Sequence, residues 1–212
     1  MKNHLKVLIL LILIQNVIKA QTGLWLKIGA EKKITKKLEL ELNFQPRFNT
    51  IDWPASSYIG EAGLKYDLPK GFTIGLFYRY IKSLKNEQYQ PYHRYYVDLS
   101  YKFKKASPII IDYRLRFQQQ FKDDDVGLVS DKNYWRNKLE LAYKNKSKFE
   151  PFVSTDLFYK NGYAFDQVRY KAGMNYKITK NQSTEISILA DDALNSSKAT
   201  KWRVAVNWKI KL

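Results

Sequence analysis

From residue 37 to the end of the chain, apolar and polar residues alternate, and one of the two alternating faces carries no charge. Leu38-Glu39-Leu40-Glu41-Leu42-Asn43-Phe44-Gln45 sets the pattern. Successive side chains of a β-strand point to opposite faces, so period two marks a strand that separates two different surroundings. Ile111, Tyr113, Leu115 and Phe117 alternate with Asp112, Arg114, Arg116 and Gln118 in the same way. Trp202, Val204, Val206, Trp208, Ile210 and Leu212 stand opposite Arg203, Asn207, Lys209 and Lys211. Helical spacing is scarce after residue 21.

Eleven segments follow from this reading, at about 22–31, 37–48, 57–66, 71–81, 93–103, 109–121, 133–143, 149–160, 167–178, 183–191 and 201–212. Their lengths suit transmembrane strands, which need ~9–11 residues. Short turns at 67–71, 104–108, 144–148 and 179–182 alternate with longer polar loops at 49–56, 82–92, 122–132 and 192–200. Short turns at one end and long loops at the other are the pattern of an outer-membrane barrel.

The charge test is sharper. In the last ten segments the apolar parity begins at Leu38, Tyr58, Phe72, His93, Ile109, Trp135, Phe149, Val168, Thr184 and Trp202. It contains no Asp, Glu, Lys or Arg, although 27% of the chain is charged. A soluble sandwich tolerates charges at its core rim. A lipid-facing surface does not, because Lys or Arg at the bilayer midplane costs ~2–4 kcal/mol. The expected fold is therefore all-β: a closed, antiparallel, up-and-down transmembrane β-barrel. Segments 2 to 11 form an even set of ten, the favoured strand number. Segment 1, with Leu24, Leu26, Ile28 and Ala30, is then a partial strand or plug, or belongs to a set of twelve.

Alternate strands end alike. Tyr66, Tyr101, Tyr143, Tyr176 and Trp208 each follow an apolar residue and a spacer and precede a charged residue at a short turn or the chain end. Aromatics with apolar bodies and polar edges belong at a membrane interface. These five residues are expected to form a girdle at the periplasmic face, with the Lys-rich turns against lipid phosphates.

The first twenty residues read differently. Lys2 and Lys6 flank a basic start, Val7–Ile14 is a short apolar run, and a small residue, Ala20, precedes Gln21. The run is too short to cross a bilayer, which needs ~20 residues. Residues 1–20 are expected to be a cleaved secretory signal, with 21–212 as one barrel domain exported to the bacterial outer membrane. Removal of Lys2, Lys6 and Lys19 takes the net charge from +17 to +14. The absence of cysteine excludes a disulfide scaffold, a thiol nucleophile and a lipoprotein anchor.

The opposite parity carries Glu39, Glu41, Glu61, Arg79, Arg94, Asp98, Asp112, Arg114, Arg116, Arg136, Lys138, Glu140, Asp156, Arg169 and Arg203. These residues are expected to face the lumen. A barrel of this size has a narrow interior, where charges must pair or stay hydrated. An interior salt-bridge lattice and a cation-lined path for small anions are the two readings. Nucleic-acid binding needs a clustered basic surface, whereas these charges alternate along strands or cap turns, so no nucleic-acid partner is expected.

Catalysis has little to build on. After the leader, His93 is the sole histidine, and Ser83 and Ser56 are nearby in sequence without motif spacing. Asp123-Asp124-Asp125 is a loop triplet that reads as a solvated turn more readily than as a cation site. No catalytic, cofactor or metal residues are assigned. Three classes remain open: a structural or interaction barrel offering loops 82–92 and 122–132 to a protein partner, a narrow passive pore for small anionic solutes, and a lipid acyl hydrolase or transferase using His93. Outer-membrane lipid is the expected surrounding.

Gly23-Leu24-Trp25, Lys36-Lys37-Leu38-Glu39-Leu40, His93-Arg94, Arg114-Leu115-Arg116, Arg136 and Arg169 resemble an uncharacterised outer-membrane barrel family of Bacteroidota, domain of unknown function 2490. The resemblance covers essentially residues 21–212. It implies an outer-membrane barrel and supplies no catalytic residues. Gln45 and Arg47 around Pro46 depart from the acidic residue followed by arginine expected there.

Overall fold

The computed structural model describes residues 23–49, 54–104, 108–144, 147–196 and 198–212. The proposed leader lies outside these residues, as do parts of the 49–56 and 192–200 loops and of the 104–108 and 144–148 turns. The strands are β1 (Gly23–Lys33), β2 (Leu38–Phe48), β3 (Ser57–Asp67), β4 (Phe72–Lys85), β5 (Gln88–Lys104), β6 (Ile109–Asp124), β7 (Gly127–Tyr143), β8 (Phe149–Lys160), β9 (Phe165–Lys177), β10 (Gln182–Ala193) and β11 (Lys201–Lys211). Each pairs with its sequence neighbours, and β1 pairs with β11, so the sheet closes on itself.

The barrel thus has eleven strands, and neither ten nor twelve. Residues 23–33 are a full wall strand rather than a plug. An odd number has a geometric consequence: β1 and β11 both run toward the short-turn end, so their ladder is parallel while the other ten ladders are antiparallel. The expectation of a wholly antiparallel sheet fails at this one seam. The faces nevertheless match. Leu24, Leu26, Ile28 and Ala30 pair with Val204, Val206, Trp208 and Ile210 on the outside. On the inside Trp25 packs with Ala205 and Leu189 in a small buried cluster, and Lys209 reaches Glu31 at 2.7 Å. The seam closes both free edges, which would otherwise expose unpaired backbone groups.

The charge-free parity points outward, and many of its large apolar residues are exposed in the isolated chain: Leu76 is 61% and Ile186 56% accessible. Tyr66, Tyr101, Tyr143, Tyr176 and Trp208 all lie on this outer face toward the short-turn end. There Tyr101 sits 4.7 Å from Phe72 and Tyr176 4.8 Å from Phe149, ring to ring. Toward the other end a second belt gathers Tyr58, Tyr78, Tyr95, Trp135, Tyr170 and Trp202. Tyr78 and Tyr95 are 5.2 Å apart, and Phe117 and Trp135 4.9 Å.

Two of the expected long loops are strands instead. β4 and β5 continue to a two-residue turn at Asn86-Glu87, both with positive φ (48° and 66°), the conformation that joins tightly twisted hairpins. β6 and β7 likewise continue to Asp125-Val126, followed by Gly127 at φ 103°. The alternation is hidden in these stretches because both faces are polar, as at Lys82 and Lys85, so period two leaves no trace in the sequence.

Candidate functional site

The lumen is built from the inward parity. Two glycines make room for aromatic side chains to lie along the wall: a Cβ on Gly63 would fall 2.0 Å from Phe77, and one on Gly75 2.5 Å from it. Phe77 stacks on Tyr96 at 4.7 Å. The Tyr96 hydroxyl donates to Glu61 at 2.5 Å, and the Arg116 guanidinium lies 3.7 Å from the centre of its ring. Arg116 then grips Asp98 with two bonds of 2.6 and 2.7 Å, and Glu61 also pairs with Arg79. Side chains of four strands, β3 to β6, are locked in this one chain of contacts.

On the far wall one carboxylate serves two cations, twice. Asp156 accepts from Arg136 and lies 3.5 Å from Arg114. Asp191 accepts from Arg169 at 2.5 and 2.8 Å and also from Arg203. Toward the short turns the ratio reverses: Lys65 is shared by Glu31, Glu39 and Glu41. Lys138 pairs with Glu140 at 2.6 Å, Lys171 with Glu185 at 2.7 Å and Lys102 with Asp112 at 3.3 Å. Breaking a buried pair of this kind from one side typically costs ~3–5 kcal/mol, because the other charge is left uncompensated.

Every charge assigned to the lumen from sequence lies on the inward parity. Asp112 is held at the short-turn rim, and Arg94, which has no carboxylate in ion-pair range among the described residues, donates to Gln120, with Nε at 2.9 Å. Sequence reasoning passed over Lys27, Glu31, Arg47, Lys65, Lys171, Glu185 and Asp191, which share that parity and were legible by it. It also missed the inward aromatics Trp25, Tyr96 and Phe158, which no charge pattern marks. Arg47 lies flat on Trp25 at 3.8 Å and donates to Gln45 at 2.9 Å. Here Gln45 stands in for the acidic residue expected at that place.

Between these layers lies a cavity of about 170 Å³. Its charged lining is Lys27, Arg79, Arg114, Arg136, Lys138, Arg169 and Lys171 against Glu61 and Asp156. Among the described residues Lys27 has no carboxylate in ion-pair range, and the Arg114 Nε is buried without a hydrogen-bond partner. The cavity has room for several waters, and its lining carries more cations than carboxylates.

His93 is elsewhere, on the outer face. Its Nδ1 meets the Tyr78 hydroxyl at 2.7 Å and its Nε2 lies 3.7 Å from Asp123. The structure does not bring the serines to it: Ser83 is on the inward parity of β4, and the Ser56 hydroxyl donates to the Arg47 carbonyl at 2.9 Å. The aspartate triplet is likewise engaged. Lys122 donates to Asp124 at 2.6 Å, and that hydrogen bond, with the Asp125 amide, holds the Asp124 carboxyl below the usual carboxylate range. No metal-holding cluster of His, Cys, Asp and Glu occurs among the described residues.

The family described as Protein of unknown function (DUF2490) matches residues 22–202. The chain belongs to DUF2490. The match begins just before β1 and runs into β11, so the DUF2490 region takes in nearly the whole wall, including the charged lining of the cavity. No curated protein matches the chain.

Proposed function

We propose that this DUF2490 protein spans a bacterial outer membrane, exported by its first twenty residues, as a barrel with a fixed charged interior. In this reading it is a structural and interaction protein that offers its β4–β5 and β6–β7 hairpins to a protein partner outside the cell. The observation that carries the reading is the outer surface: a charge-free apolar band lies between two aromatic belts, where lipid replaces the missing core. The packed ion pairs of the interior support a rigid wall rather than a wide channel.

A second reading, a narrow path for small anions, draws on the cation-rich cavity. One pair of measurements separates them. The chain expressed with its leader and purified from membranes should need detergent, migrate differently on gels before and after boiling, and give no steady conductance in planar bilayers. A protein that stays soluble without detergent and lacks the gel shift would overturn the barrel-in-membrane reading. Anion-selective steps abolished by Arg114→Ala would replace the structural reading with the pore.

A further inference from the structure

We infer that the mid-lumen cavity is a binding chamber for one small oxyanion, of the phosphate, sulfate or carboxylate class. The inference rests on the barrel reading but adds a ligand to it. Seven cations and two carboxylates line the chamber, and both carboxylates are already committed, Glu61 to Arg79 and Tyr96, Asp156 to Arg136 and Arg114. The unspent donors come from opposite walls. Lys27 on β1 has no carboxylate in range among the described residues, and Arg114 on β6 keeps a buried Nε with no acceptor.

A buried donor without an acceptor is costly, and an uncompensated charge more so. Water can hydrate the ammonium of Lys27 but cannot cancel its charge; an oxyanion does both. A tetrahedral or planar anion between the two walls accepts from the ammonium as a point charge and from the guanidinium as a directed donor. A cation is excluded by the same lining. An apolar ligand would leave both unspent donors unmet, so the chemistry selects an acceptor-rich anion. Trp25, in the same lining and already bearing Arg47 on its ring, gives the chamber an optical reporter.

The test uses inorganic phosphate and the mature barrel in zwitterionic micelles, at constant ionic strength with chloride as the balancing anion. Titration should give saturable binding by calorimetry, a change in tryptophan emission and a rise in unfolding temperature that grows with phosphate. Lys27→Gln and Arg114→Gln should each weaken binding at least about tenfold, and Lys180→Gln, in an exposed turn, should leave it unchanged. If either lumen variant fails to fold, as read by loss of the gel shift, the wild-type titration and Lys27→Arg, which keeps the charge, still decide the matter. No saturable binding at millimolar phosphate by a barrel that shows the gel shift overturns the chamber and leaves the membrane reading intact. An equal loss in Lys180→Gln also overturns it, since the attraction would then belong to net charge alone.

Discussion

The wall of this barrel is two structures in one set of strands. In the band between the aromatic belts, each residue of β4 to β7 faces either the charged interior or the apolar outside. Beyond the band the same strands run on as free hairpins, and β4 to β7 reach 14, 17, 16 and 17 residues while β1, β2, β3 and β11 stop at 11. The backbone ladder is the same in both regions, yet the continuous network of side-chain partners belongs to the band, while the hairpins add isolated contacts such as Tyr89 to the Ala55 carbonyl at 2.7 Å. Pairing shapes this sheet while side-chain surroundings fix it: Tyr96 and Arg116 are nearly inaccessible, whereas Val126 at a hairpin tip is 87% exposed.

The largest effect is expected inside the band. Asp156→Ala strands Arg136 and Arg114 without their carboxylate and should lower stability by about 3–5 kcal/mol. The midpoint of urea unfolding in lipid vesicles measures it, and a loss below about 1 kcal/mol would mean the lumen is wet enough to make the lattice dispensable. On the outer face of the same band, Leu76→Arg should cost about 2–4 kcal/mol in vesicles. Leu76 is so exposed in the isolated chain that the same change in a water-soluble barrel would be almost neutral, so this variant probes the membrane itself. Val126→Lys, at the hairpin tip, should stay within about 0.5 kcal/mol. A tip substitution as damaging as Asp156→Ala would erase the distinction between band and hairpin.

The contrast also explains what could be read in advance. In the band, period two reveals strand, face and girdle together, because each face faces a different medium. That is why Leu38–Gln45 and Trp202–Leu212 are recognisable at sight. In the hairpins polar residues occupy both faces, so Lys82 to Tyr92 looks like a loop although it continues two strands, with only Tyr92 at its base buried against Ile59 and Ile81. Strand number was hidden for another reason. Leu24 to Ala30 has the right alternation, but the direction in which β1 meets β11 depends on closure, which no local pattern encodes. Ion pairing is similarly non-local: Arg116 and Lys27 look alike on their strands, and only the folded lumen gives one an aspartate and leaves the other facing a cavity.

The parallel seam has a bearing on time as well as shape. The bond from Lys209 to Glu31 joins residues 178 positions apart, and every other ladder joins strands adjacent in the chain. Hairpins can therefore accumulate in order as the chain folds, but closure needs the first strand and the last to meet, the contact with the largest loop entropy against it. Until β11 arrives, β1 remains an open edge able to pair with any other extended chain. A folding factor that shields β1 during that interval would govern the yield of closed barrels without contacting the finished molecule.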